Sequence, residues 1–215
     1  MSNLIIGVKT HQNTISEKES KLLKNENKCF FCGISTEHSS FEHFKADKWH
    51  NSCSLCYYTE HLDILIAQNK GFLIFMPEIS QIELFGIMRM IWHISSLYKE
   101  DKNDNHLEEV YDSIKFLEET IFDRREHAET LFANGCSSVD LIVDFLHANK
   151  QLEGFSKALK YLRWLPNKNI FADDIEYWGN NDLKKYNPKN FKNLIKHMES
   201  KKNGWLWDWL CIIYW

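Results

Sequence analysis

Glycine and proline are scarce in this chain: eight glycines and three prolines punctuate 215 residues. A many-stranded β architecture needs a turn every few residues, so this poverty favours long helices over a sandwich or barrel. No stretch approaches the ~20 consecutive apolar residues that span a bilayer. Nor is there a surplus of positive charge. The formal net charge is −4, which argues against a general nucleic-acid binder, since phosphate contacts need a basic face. A secretion signal is also missing, because the first twenty residues hold only the short apolar patch Leu4-Ile5-Ile6. Absent too are a Gly-rich phosphate loop, a Gly-x-Ser-x-Gly elbow and a His-Glu-x-x-His helix. The paired acids Glu118/Glu119 and Asp173/Asp174 are adjacent in sequence, do not face one another on a helix, and read as solvated surface.

What is present points to a folded, soluble, cytoplasmic protein. Hydrophobic residues make up 44% of the chain and aromatics 14%, enough to bury a core and exclude global disorder. Two Cys-x-x-Cys pairs stand out: Cys29/Cys32 and Cys53/Cys56, with twenty residues between Cys32 and Cys53. That spacing belongs to a single four-thiolate zinc site. Four protein ligands fill the tetrahedral shell and leave no open position for water, so the site is structural. Two disulfides would need an oxidising compartment, and a thioredoxin-like redox pair would need one Cys-x-x-Cys rather than two. Cys136 and Cys211 lack ligand spacing and read as buried free thiols.

The order of elements follows from local patterns. Residues 1–27 read as a polar arm, and residues 28–70 as the zinc module. Cys29 to Gly33 predicts a tight knuckle, with Gly33 free to take positive φ. Cys53 and Cys56 open a helix that the spacing of Tyr57, Tyr58, His61, Leu62, Leu65 and Ile66 extends. Knuckle, hairpin and helix together are the plan of a treble-clef finger. Gly71 to Met76 is a continuous apolar run, read as a buried strand that Pro77 stops. Ser80 and Glu83 form a capping box, flanked by Ile79 and Leu84 at staple spacing. The helix that follows presents Leu84, Ile87, Met88, Ile91, Ser95 and Tyr98; His93 on it reads as interfacial or solvated rather than as a ligand.

A second long helix is predicted over about 106–130, and a third is capped by Ser137 or Ser138 after Gly135. A fourth helix, through Phe155, Ala158, Leu159 and Leu162, must end by Leu165, before Pro166. Asn187-Pro188 opens a fifth. Residues 181–215 combine the lysines 184, 185, 189, 192, 196, 201 and 202 with a terminus holding Trp205, Trp207, Trp209 and Trp215. The lysines read mainly as a solvated face. The tryptophans have three placements: against the domain's own core, in a partner's groove, or at a membrane interface.

A treble clef with these pairs invites comparison with HNH-type nucleases. His38, His43 and His50 lie between the pairs and His61 follows them, but Tyr57 stands after Cys56 where such nucleases place His or Asn. The active site reads as incomplete, and zinc spacing specifies a fold rather than a reaction.

Cys-x-x-Cys-Gly, then Cys-x-x-Cys, then Phe72-Leu73-Ile74-Phe75-Met76-Pro77-Glu78-Ile79-Ser80-Gln81-Ile82-Glu83-Leu84 resembles the DotN/IcmJ family of the Dot/Icm type IVB secretion system. Leu162-Arg163-Trp164-Leu165-Pro166, Phe171 and Ile175-Glu176-Tyr177-Trp178 are similar to further family motifs, so the resemblance covers about residues 28–180. The resemblance implies an HNH-like zinc fold without nuclease activity, in which Cys29, Cys32, Cys53 and Cys56 bind one structural Zn²⁺. It implies a non-enzymatic adaptor that binds the C-terminal cytoplasmic tail of the type IV coupling ATPase, beside other coupling-complex adaptors at the cytoplasmic face of the inner membrane. The expected fold class is α+β: a four-cysteine zinc treble-clef module packed on a mainly α-helical domain (strand plus helices over 71–180). The alternative is an HNH-type metal-dependent endonuclease.

Overall fold

The structure is a computed structural model that describes residues 6–7, 26–65, 69–100, 105–131, 134–148 and 159–184. The fifth predicted helix, the lysine-rich segment beyond Lys184, the tryptophan terminus and Cys211 lie outside the described residues, as does most of the N-terminal arm.

Among the described residues the fold is a mixture of helices and two small antiparallel sheets. The first is a hairpin of β1 (Phe41–Lys45) and β2 (Lys48–Ser52), in the register His43 to His50 and Phe44 to Trp49. Its two-residue turn places Ala46 and Asp47 at φ 51° and 60°, the left-handed pair that suits the strand twist. α1 (Ser54–Glu60) follows at once. It stops short of the predicted extension through Ile66. His61 leaves helical geometry at φ −136°, and its ring packs 4.5 Å from Tyr57 and 5.3 Å from His43. Leu62 and Leu65 are buried all the same, so the helical spacing here marks core positions on a turn. At the N-terminal arm, Ile6 is buried, and Gly7 exchanges backbone hydrogen bonds with Thr59 and Leu62.

β3 (Gly71–Phe75) forms where the apolar run predicts a strand. Its partner corrects a sequence expectation. Leu162, placed above in a fourth helix, begins β4 (Leu162–Pro166), which pairs antiparallel with β3 in the register Leu73 to Trp164. A lone β3 would strand its backbone groups in the core, and Leu162, Trp164 and Leu165 bury at 2% exposure or less once in the ladder. Pro166 stands at the end of the register opposite Gly71, where a missing N–H costs little. Gly71 is required there: at φ +93° a Cβ would sit 2.1 Å from the Leu165 carbonyl oxygen.

The helical part begins with α2 (Gln81–Glu100). Its capping box is formed: Ser80 Oγ accepts from the Glu83 N–H at 3.2 Å, and Glu83 Oε2 accepts from the Ser80 N–H at 2.7 Å. The buried surface is broader than the predicted stripe, taking in Phe85, Arg89, Trp92, His93 and Ile94. α3 (Asn105–Leu131) buries Leu107, Val110, Ile114 and Ile121 against β3 and α2. Gly135, at φ +91°, turns the chain, and Ser138 Oγ caps α4 (Val139–Ala148) by accepting from the Leu141 N–H at 3.4 Å. A 3₁₀ turn (Lys168–Phe171) leads into α5 (Ala172–Asn180), whose Trp178 is 2% exposed.

Gln81 ties the sheet to α2. Its side-chain amide donates to the Trp164 carbonyl and accepts from the Trp164 N–H, both at 2.8 Å, completing the outer edge of β4 as a neighbouring strand would. Arg163 Nε donates to the Ile79 carbonyl at 2.6 Å. Replacing Gln81 with Leu would orphan two buried backbone groups of Trp164, each worth about 1–3 kcal/mol. Urea denaturation of Gln81→Leu is expected to show a destabilisation of that order, whereas Gln81→Glu should retain part of the pairing through its remaining acceptor.

Candidate metal centre

The four paired cysteines converge. The sulfurs of Cys29, Cys32, Cys53 and Cys56 all lie within 4.8 Å of one another, and Cys32 and Cys53 are 3.7 Å apart. A regular tetrahedron with zinc–sulfur bonds of about 2.3 Å has sulfurs about 3.8 Å apart, so the donor set fits a tetrahedral thiophilic ion. The five described cysteines are all free thiols, and Cys136 is buried as expected, its sulfur donating to the Ala128 carbonyl at 2.8 Å.

Local geometry delivers each pair. The Gly33 N–H donates to the Cys29 carbonyl at 2.8 Å and the Cys29 N–H donates to the Ile34 carbonyl at 2.8 Å. This closes the knuckle, with Gly33 at φ +72°. β2 then leads directly into Cys53, the residue that caps α1, and Cys56 lies in the first turn. There the exposed N–H dipoles favour thiolates. Cys53 and Cys56 are 0% exposed and Cys29 is 2% exposed, so Cys32 is the most accessible of the four.

Charge is unevenly shared among the sulfurs. Hydrogen bonds with Cys29, Cys53 and Cys56 hold the Cys32 thiol well below its ordinary range, and the Arg89 guanidinium adds to this against the effect of burial. At Cys29 the contact with Cys32 acts upward, but those with Cys53 and Cys56 outweigh it and the net shift is downward. Burial pushes Cys53 far up, and the contacts with the other three thiols do the same to Cys56. Four buried thiols cannot all ionise at once. A bound dication would stabilise all four thiolates together.

Arg89 is the residue of this site that motif spacing did not reveal. On α2 its Nη1 lies 3.5 Å from Cys32 Sγ, and its guanidinium sits 5.6 Å from the centre of the Trp178 ring. The signal was available, because Arg89 is the one charged side chain between Leu84 and Trp92. α5 fastens the module from the other side. Trp178 Nε1 donates to the Ser35 carbonyl at 3.1 Å, the Tyr177 hydroxyl donates to Glu37 at 2.7 Å, and Ser54 Oγ donates to Asp174. Asp174 is therefore buried at 7% exposure, which corrects its reading as solvated surface.

The four histidines named as nuclease candidates do not share one set of contacts. His38 stacks on Tyr177, and His50 stacks on Phe30 at 3.8 Å. His50 also faces His43 across the hairpin ladder, and His43 and His61, each 0% exposed, have ring centres 5.3 Å apart between the hairpin and α1. His43 Nε2 meets Glu60 Oε2 at 3.0 Å, and Lys45 holds the other Glu60 oxygen at 2.7 Å. The group is a buried polar network behind the hairpin, on the side of Phe31. His93 is also buried, against Gly179.

Compared with protein-family models and with curated proteins, the chain matches none. Among the described residues no helix is long and apolar enough to cross a membrane.

A structural zinc typically supplies about 10–16 kcal/mol of folding free energy, as much as the whole stability of a domain. Cys53→Ser is therefore expected to lose the metal and unfold at least residues 28–65. Elemental analysis and the thermal melt of purified protein test this: about one zinc per chain in the parent, close to none in the variant, and a lower or broadened transition. Acid should release the metal from the parent protein, since protons compete for the thiolates.

Proposed function

We propose that this chain is a non-enzymatic zinc-binding adaptor of the DotN/IcmJ type. In this reading Cys29, Cys32, Cys53 and Cys56 hold one structural Zn²⁺ in an HNH-like treble clef. The protein binds the cytoplasmic tail of a type IV coupling ATPase, beside other adaptors, at the inner face of the inner membrane. The zinc contributes no chemistry of its own; it holds a rigid surface that recognises an extended or helical segment.

The observation that carries the reading is that the stretches behind the resemblance meet in space. The β3 part of residues 72–84 pairs with β4 over 162–166, and the Gln81 amide at the start of α2 and the Arg163 guanidinium lock the rest of that stretch to the strand. The third stretch, around Tyr177 and Trp178, grips the cysteine knuckle. Motifs scattered over about a hundred residues of sequence are thus parts of one framework around the metal centre. The order knuckle, hairpin, helix supports the treble-clef assignment. Full burial of His43 and His61, with Glu60 held by Lys45, supports a framework role for the residues a nuclease would need open to a phosphate.

Affinity capture of the full-length protein from its native cells, followed by mass spectrometry, tests the reading. A coupling ATPase and small adaptors are the expected co-purifying proteins, and a synthetic peptide of the ATPase tail should bind the zinc-loaded chain but not Cys53→Ser. Metal-dependent DNA cleavage that His43→Ala or His61→Ala abolishes would establish the endonuclease alternative instead.

A further inference from the structure

Arg89 presents an electrostatic question that the four ligands do not answer. It is 7% exposed, and among the described residues no carboxylate lies within ion-pair distance of it. Taking a guanidinium out of water without a counter-charge costs several kcal/mol. Its polar neighbour is a sulfur, Cys32 Sγ at 3.5 Å. Four neutral thiols would not repay that burial. A dication held by four thiolates carries a net charge of −2, and such a cluster would.

Cys32 is also where the cluster meets solvent. A cleft of about 390 Å³ opens onto it, lined by Gly33, Ile34, Gly86, Met90, Asp182 and Leu183 together with Arg89; the Asp182 carboxylate is turned to the Ser35 N–H at 3.3 Å and is not within ion-pair distance of the guanidinium. Its floor is bare at Gly86, where an added Cβ would meet nothing within 4 Å. The other three sulfurs are sealed, so an ion, a chelator or an alkylating reagent reaches the centre through this cleft.

Resting on the zinc reading above, we propose that Arg89 is the positioning residue of the metal centre: its guanidinium, braced on Trp178, holds Cys32 as a metal-bound thiolate and governs metal exchange through the cleft. The metal-loaded cluster in turn supplies the counter-charge that lets α2 bury an arginine. Metal loading and closure of the cysteine module onto α2 and α5 are thus one event.

The test follows zinc transfer from the loaded full-length protein to an excess of a chromogenic chelator, beside the rate at which iodoacetamide labels Cys32. Loss of an outer hydrogen bond to a metal ligand costs about ten- to a hundred-fold in affinity, so Arg89→Met should speed zinc release by about that factor. Arg89→Lys, which keeps the charge, should restore part of the difference. Gly86→Met places a side chain in the open cleft and should slow both zinc release and labelling of Cys32. In cadmium-loaded protein, the ¹¹³Cd resonance should move in Arg89→Met and return part of the way in Arg89→Lys, as a charge acting on the Cys32 sulfur requires.

A folded Arg89→Met protein with the parent's release rate and ¹¹³Cd shift overturns the assignment while leaving the zinc site standing. If Arg89→Met does not fold, Gly86→Met decides: unaltered or faster release overturns the cleft route. A parent chain that binds no zinc removes the four-cysteine reading and this inference with it.

Discussion

Four sulfurs gathered within 4.8 Å form the constraint on which the rest of this structure depends. Gathered thiolates repel one another and burial penalises each of them, so gathering four sulfurs is a demand on the fold that a bound cation would meet. That requirement reaches well beyond the knuckle and α1. The hairpin sets the distance between the pairs, α5 clamps the knuckle through Trp178 and Tyr177, and α2 places Arg89 beside the sulfur that faces the cleft. The cysteine module is thereby a wall of the same core that β3, β4 and the long helices enclose.

The second organising contact is between α2 and β4. Pro77 ends β3, Ser80 starts α2, and the first residue of that helix turns its amide back onto the sheet. A strand, a cap and an edge closure are compressed into about ten residues of chain. A motif of this kind is dense because each position has a separate geometric duty. Gly71 admits the Leu165 carbonyl, Glu83 closes the cap, and Gln81 completes the ladder.

Much of this was legible in the sequence. The cysteine spacing identified the cluster, the Ser80–Glu83 box located the start of α2 to the residue, and the apolar run at 71–76 located β3. What escaped has physical causes. Leu162 to Leu165 has no strong local preference, and a helix pattern upstream of Pro166 overrode the pairing that β3 imposes from about ninety residues away. The end of α1 was misplaced because apolar spacing persists through Leu65 while the His61 ring folds back onto Tyr57. Arg89 was missed because the sulfur it meets, on Cys32, lies 57 positions away in sequence, which no spacing rule encodes. Asp174 looked like surface because Ser54, its partner, is 120 positions away.

The reciprocal amide of Gln81 has a consequence for recognition. A two-stranded ladder ordinarily leaves an edge open to any extended chain that comes near. Here the middle of the β4 edge is filled from within, and β3 meets Ser137 and Ser138 on its opposite side. The sheet is closed to strand addition at these points. At these points of the β3–β4 sheet an approaching chain meets side chains, which discriminate between sequences, where an open edge would have offered a sequence-blind backbone ladder.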